Sequence, residues 1–183
     1  MPEVGKRVYL TFDDGPIPEV TEFVLDVLKA HHIKATFFCI GKNAELHPDI
    51  FKRILDEGHA VGNHTHSHIN GWNSNTRSYV DDAIRAGMVI DTRLFRPPYG
   101  RIRKEQADEI MLKYKVVMWD VLSYDFDKNI SPQQCLKNVT ENVRPGSIVV
   151  FHDSLKAKDN MQYALPLVIE KLKNEGYEFL KLE

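Results

Sequence analysis

The sequence predicts an α/β fold of parallel strands closed into a reduced or irregular barrel. Short apolar runs alternate with longer amphipathic ones through the 183 residues, which calls for parallel pairing through right-handed crossovers. A barrel and an open doubly wound sheet both satisfy that alternation. Seven strands in a chain shorter than the roughly 250 residues of an eight-fold barrel favour the reduced form. Polar clusters also recur at the C-terminal ends of the apolar runs, the face on which both kinds of fold build active sites.

In chain order, the apolar run 7–12 gives a first strand and the amphipathic stretch 18–31 a helix. Residues 34–39 form a second strand, followed by a helix over 48–57 that closes at Gly58, where a left-handed residue is wanted. Strand 60–63 runs into a histidine-rich segment, and a helix over 75–92 follows. Strand 94–96 stops at Pro97-Pro98, before a helix over 103–113. The apolar run 115–120 gives a fifth strand. Ser131-Pro132 reads as an N-cap with proline at the first helical position, opening a helix over 132–142. Ile148-Val149-Val150-Phe151 makes 147–151 a strand, and a helix over 161–175 ends at Gly176 before a last strand over 177–180. No linker, low-complexity stretch or repeat interrupts this order, so 1–183 reads as one domain.

Composition bounds the partners. A chain with 43% hydrophobic and 27% charged residues is globular rather than disordered. Its formal net charge is −2 with the cations scattered, which leaves no basic stripe for nucleic acid. Cys39 and Cys135 lack metal-ligand spacing and read as buried thiols, without a disulfide framework. Met1 to Lys6 lacks the apolar core of a signal peptide, and no segment reaches the roughly 20 apolar residues of a membrane span. As given, the chain is expected to be cytoplasmic and monomeric, with cell-envelope or secreted action if a targeting segment was removed.

The chemistry lies in the strand-end clusters. Asp13-Asp14 follows the first strand, His64 to His68 the third, Arg96-Pro97-Pro98-Tyr99-Gly100 the fourth, Ser123 to Phe126 the fifth and His152-Asp153 the sixth. Two histidines four apart with a carboxylate from another segment give a divalent metal three ligands and leave one position open. His64 and His68 share a face if the segment is helical; His64, His66 and His68 align if it is extended. Adjacent acids leaving a strand point to opposite sides, so Asp13 and Asp14 can divide between metal and water, though Asp-Gly-Pro is also an ordinary turn. Pro97-Pro98 stiffens the loop that holds Arg96 toward a carboxylate such as Asp13, and Gly100 permits close backbone approach to a ligand. His152 ends an apolar run, which predicts titration near neutral pH or lower, with Asp125 as hydrogen-bond partner. His31, His32 and His59 read as structural, and Trp72 and Tyr124 as candidate walls of a sugar groove.

Thr11-Phe12-Asp13-Asp14-Gly15-Pro16, His64-Thr65-His66-Ser67-His68, Arg96-Pro97-Pro98-Tyr99-Gly100, Asp125-Phe126 and Val150-Phe151-His152 resemble, in order, the five motifs of the polysaccharide deacetylases, the NodB-homology carbohydrate esterases of family 4. The resemblance implies a distorted (β/α)7 barrel that binds a divalent metal, usually zinc, with cobalt or nickel as alternatives. It implies removal of acetyl groups from acetylated polysaccharide or oligosaccharide, here N-acetylglucosamine units of peptidoglycan or chitin-like oligomers. Carried over by position, Asp14, His64 and His68 are the metal ligands, with His66 outward or behind them. Asp13 is the base acting on a metal-bound water and Arg96 its tether. The Tyr99 amide serves the oxyanion, and His152, tuned by Asp125, is the acid. The fourth motif usually reads Asp-x-x-Asp-Trp, whereas Leu122 and Phe126 stand at its first and last positions here. Val150 replaces a common leucine at a position expected to line the methyl pocket.

Three other readings remain. An acetyl ester hydrolase on a polymer such as xylan, or a cyclic amide hydrolase, would use the same centre. A non-catalytic carbohydrate-binding module requires a lost base, ligand or acid, and none is missing. An iron oxygenase explains two histidines and a carboxylate but not Asp13, Arg96 and His152.

Overall fold

The computed structural model describes residues 5–183, so the first four residues of the stretch read for a signal peptide lie outside it. Alternate side chains of strand β1 (Arg7–Asp13), Val8, Leu10 and Phe12, are fully buried, and the strand forms the centre of the sheet. It pairs in parallel with β2 (Thr36–Cys39) on one side and β7 (Ser147–His152) on the other. Outward from β2 lie β3 (Ala60–Asn63), β4 (Leu94–Phe95) and β5 (Lys115–Val116); outward from β7 lies β6 (Val121–Leu122). The seven strands form a curled parallel half-barrel with helices, and a short β8 (Glu178–Phe179) adds to the start of β1. The Phe12 ring stacks between Phe37 at 5.1 Å and Phe151 at 6.1 Å, tying three adjacent strands into one core.

Helix α1 spans Val20–Ala30, α3 Pro48–Asp56, α5 Lys104–Ile110 and α7 Lys158–Asn174. Gly58 and Gly176 have φ of 81° and 82°, the left-handed conformation expected just past a helix. Ser131 Oγ accepts from the Gln134 N–H at 3.1 Å, capping α6 (Pro132–Thr140). Helix α4 (Thr76–Ala86) stops earlier than its amphipathic pattern suggests. Beyond it, a side chain at Gly87 would lie 2.4 Å from the Tyr114 hydroxyl. Helix α2 (Gly41–Leu46) is absent from the sequence reading because six residues are too few to display a helical period.

The largest correction concerns the fifth strand. Of the apolar run 115–120 only its first two residues pair, as β5, while β6 begins just past its end, and these two strands are the two edges of the sheet. Residues 117–120 cross the open side of the half-barrel. Val117 is buried at 7% exposure and its N–H still donates to the Phe95 carbonyl at 2.8 Å, whereas Met118 beyond it is exposed. Hydropathy reports burial and cannot see which strand, if any, a backbone pairs with.

His59, at the N-terminal mouth of β3, is 5% exposed, and its Nδ1 accepts from the Ala35 N–H at 3.1 Å. Burial, aided by the Lys34 charge, lowers its pKa to about 4 from the ordinary 6.5. The imidazole is therefore neutral in the folded chain, while the unfolded chain takes up a proton below pH 6.5. This contribution is complete above pH 6.5 and drains away as pH falls through about 4, roughly 3 kcal/mol in all. Urea midpoints at pH 7.5 and 4.5 should show a smaller acid loss in His59→Gln than in the parent chain.

Candidate active site

Asp13 and Asp14 leave β1 in different directions because Asp14 takes a left-handed φ of 87°. That turn is held from three sides. The Asp14 carbonyl accepts from Asn43 Nδ2 at 2.7 Å, Asp153 Oδ1 accepts from the Gly15 N–H at 3.0 Å, and the Asp153 N–H donates to the Asp13 carbonyl. Asp153 is fully buried, and Thr21 Oγ1 also donates to it at 2.6 Å. Burial lifts its carboxyl to about 8. Its only sequence signal is its place beside His152 at the end of an apolar run.

The histidine segment is neither helix nor strand. Thr65 and His68 have φ of 61° and 56°, and Asp82 accepts from the backbone N–H groups of His66 and Ser67, both at 2.9 Å. This bend brings His64 and His68 together, their rings 5.1 Å apart, and sends His66 away to be buried against α2, with Nε2 3.8 Å from Glu45. His64 Nδ1 donates to the Arg96 carbonyl at 2.7 Å; since a carbonyl only accepts, Nε2 is left as a lone pair. Burial lowers the His64 pKa, which keeps that ring neutral.

Asp14 Oδ1 lies 3.2 Å from His68 Nε2 and 3.8 Å from His64 Nε2, and ligand atoms of all three residues fall within 4.8 Å of one another. Four atoms around a tetrahedral zinc at about 2.0–2.1 Å are roughly 3.3 Å apart. Asp14 Oδ1 is buried with no properly oriented hydrogen bond. An orphaned anionic oxygen beside the His64 Nε2 lone pair and the His68 Nε2 fits a divalent cation. Burial pushes the Asp14 carboxyl up, but His68, His152 and His64 outweigh it and hold it below the ordinary carboxylate range.

Asp13 is fastened from behind. Arg96 Nη1 donates to Asp13 Oδ1 at 2.8 Å and to Thr11 Oγ1 at 2.7 Å, and Nε donates to the Val117 carbonyl at 3.2 Å. The guanidinium lies 4.0 Å from the Phe38 ring centroid and is fully buried on the open side of the half-barrel. Asp13 Oδ2 lies 4.0 Å from His64 Nε2.

On the facing wall, Asp125 holds His152 twice, accepting from its backbone N–H at 2.6 Å and bonding Nδ1 at 2.8 Å. The expectation of a near-neutral or lower titration is overturned. Burial alone depresses this imidazolium, but the Asp125 contact, with Asp14 and Asp13 beyond it, lifts the pKa to about 9.

Asp13, Asp14, His64, His68, Tyr99 and His152 line one cavity of about 580 Å³, with Arg96 and Asp125 behind its walls. Tyr99 is left-handed at φ 61° in a tight turn, its ring 4.6 Å from His68. Gly100 serves packing rather than ligand approach, since a Cβ there would come 2.9 Å from Trp119. Trp119, missed from sequence because it sits inside an apolar run, lines the cavity together with Leu122 and Phe126. Val150 is 1% exposed and is not among the lining residues. Tyr124 lines an adjoining cavity with Trp119, Asn138 and Asn142, and Trp72 stands 55% exposed beneath Arg101.

Fold and cavity together define an α/β half-barrel protein with a three-ligand candidate metal centre between an arginine-anchored carboxylate and a carboxylate-anchored histidine. The chain belongs to the polysaccharide deacetylase family, whose model matches residues 2–118. It is 38% identical over 184 residues to a peptidoglycan-N-acetylglucosamine deacetylase of Bacillus cereus, covering 96% of this chain and 66% of that protein, slightly under two thirds of its length. The structure superposes with a TM-score of 0.92 and 36% identity on a peptidoglycan N-acetylglucosamine deacetylase in complex with 4-naphthalen-1-yl-N-oxidanyl-benzamide, covering 99% and 88% of the two chains. A CE4 family pseudoenzyme from Bacillus anthracis shares the fold at TM-score 0.86 and 28% identity, covering 100% of this chain and 65% of that one.

Proposed function

We propose that this chain is a metal-dependent deacetylase that hydrolyses the acetamide of N-acetylglucosamine units in peptidoglycan or chitin-like oligosaccharides. The orphaned Asp14 oxygen beside His64 and His68, with Asp13 and His152 lining the same cavity, is the observation that carries this reading. A divalent cation held by Asp14, His64 and His68, with zinc preferred, supplies Lewis-acid polarisation of the acetyl carbonyl and acidifies water. Asp13, with Oδ1 fixed by Arg96, takes the proton of the attacking water on Oδ2. The Tyr99 N–H donates to the carbonyl oxygen as it becomes an oxyanion. His152 donates its Nε2 proton to the amine nitrogen as the C–N bond breaks, while its Nδ1–H stays on Asp125. Peptidoglycan as substrate places this work at the cell envelope.

Purified protein should be analysed for bound metal and assayed for acetate release from peptidoglycan, chitooligosaccharides and acetylxylan. Release from acetylxylan alone would make the chain an ester hydrolase; release from none would align it with its pseudoenzyme relative. Asp14→Asn and His68→Ala should each weaken zinc binding by at least about 100-fold, more than the loss of an outer partner. Near-stoichiometric tight zinc in both variants would disprove the ligand set.

The acid must be protonated to act, and the Asp125 carboxylate against Nδ1 favours that form by raising the His152 pKa above its ordinary value. The alkaline limb of the kcat profile should therefore depend on Asp125. Asp125→Asn removes the charge that raises this pKa while burial remains, so the limb should shift downward by at least about one pH unit. A limb that stays in place would remove His152 from the acid role.

A further inference from the structure

Two cations stand at the rim of the catalytic cavity without an anionic partner. Arg53, Arg96, Arg144 and Lys158 each pair with a carboxylate. Arg101 and Lys156 line the cavity and, among the described residues, form no ion pair. Each lies over an aromatic ring instead, Arg101 at 4.9 Å from the Trp72 centroid and Lys156 at 5.3 Å from that of Phe126. Stacking of this kind restrains a long side chain while leaving its donors free. The cavity's own acids are already engaged, Asp13 by Arg96 and Asp14 by the cation its oxygen fits. The free charge at the rim is therefore positive.

Position says what the charge faces. Phe126 packs edge-on against His152 at 5.0 Å, so Lys156 stands on the leaving-amine side, where the sugar ring must lie. Arg101, two residues beyond Tyr99, lines the same cavity. A neutral N-acetylglucosamine oligomer offers neither cation a counter-charge. Resting on the deacetylase reading above, we propose that Arg101 and Lys156 recognise a carboxylate on the glycan, either a 3-O-lactyl group within one sugar of the scissile acetamide or a peptide stem attached to it. They are specificity-determining binding residues that select acidic over neutral glycan.

The test compares peptide-free muramyl glycan strands with the same strands after conversion of the lactyl carboxyl to its methylamide, which removes the charge and little else. A third arm uses strands bearing peptide stems and locates the carboxylate that is read. In the parent chain kcat/KM should favour the charged strand about tenfold, through KM, on either the lactyl or the stem arm. Lys156→Met and Arg101→Met should each reduce that ratio about threefold and the double variant should bring it near one, whereas Lys156→Arg, which keeps a cation able to stack on Phe126, preserves it. Raising salt from about 50 to 500 mM should erode the parent's ratio as well. A ratio near one in the parent chain, or one unchanged in the double variant, would overturn the inference. Absence of acetate from every strand would instead overturn the deacetylase reading on which it rests.

Discussion

Asp13→Asn is expected to reduce acetate release by about 10³–10⁴-fold while the protein still binds about one zinc per chain. The two effects separate because the adjacent acids face different partners. Asp14 Oδ1 lies among the imidazoles, whereas Asp13 Oδ1 is bound to Arg96. An amide at position 13 keeps an oxygen for the guanidinium and nearly the same volume, but it cannot take up a proton. It also leaves Arg96 buried without a counter-charge, so some loss of stability accompanies the loss of turnover. Metal content and the thermal midpoint, measured on the same preparation, separate a folded, loaded and inactive variant from an unfolded one. Turnover within tenfold of the parent would mean that another group takes the proton.

The same residues show where sequence reasoning reaches and where it stops. Asp13, His64, Arg96 and His152 end or follow apolar runs, so hydropathy placed them on one face before any coordinates did. Spacing alone left open whether His66 joins His64 and His68, and the motif resemblance named the pair; the bend that brings them together depends on left-handed φ at Thr65 and His68, and neither type announces that conformation as glycine does. Asp14, Tyr99 and Tyr124 share this unfavourable region, so, among the described residues, five of the seven non-glycine residues with positive φ fall in segments that build the cavity walls. Strain of roughly 1–3 kcal/mol per residue is held there by neighbours such as Asp82, Asn43 and Asp153, far away in sequence. Trp119 was hidden for a different reason: an indole inside a hydrophobic run looks like core until the strand around it is seen to divide.

Arg96→Met is expected to cost about 3–5 kcal/mol, among the largest losses available to a single substitution in this chain. The guanidinium spans the open side of the half-barrel, reaching Asp13 and Thr11 on the central strand and the Val117 carbonyl on the segment that joins the two sheet edges. Its removal buries the Asp13 charge uncompensated and strands a carbonyl, each a penalty beyond the lost contact. The Arg96 carbonyl that receives His64 Nδ1 belongs to the backbone and survives, so metal affinity should fall less than stability does. A double-mutant cycle isolates the charge. Asp13→Asn combined with Arg96→Met removes both members of the pair, and the double loss should be smaller than the summed single losses by at least about 1 kcal/mol. Strictly additive losses in chemical denaturation would show that Arg96 acts through packing on Phe38 and not through Asp13, and its role as tether of the base would fall with that result.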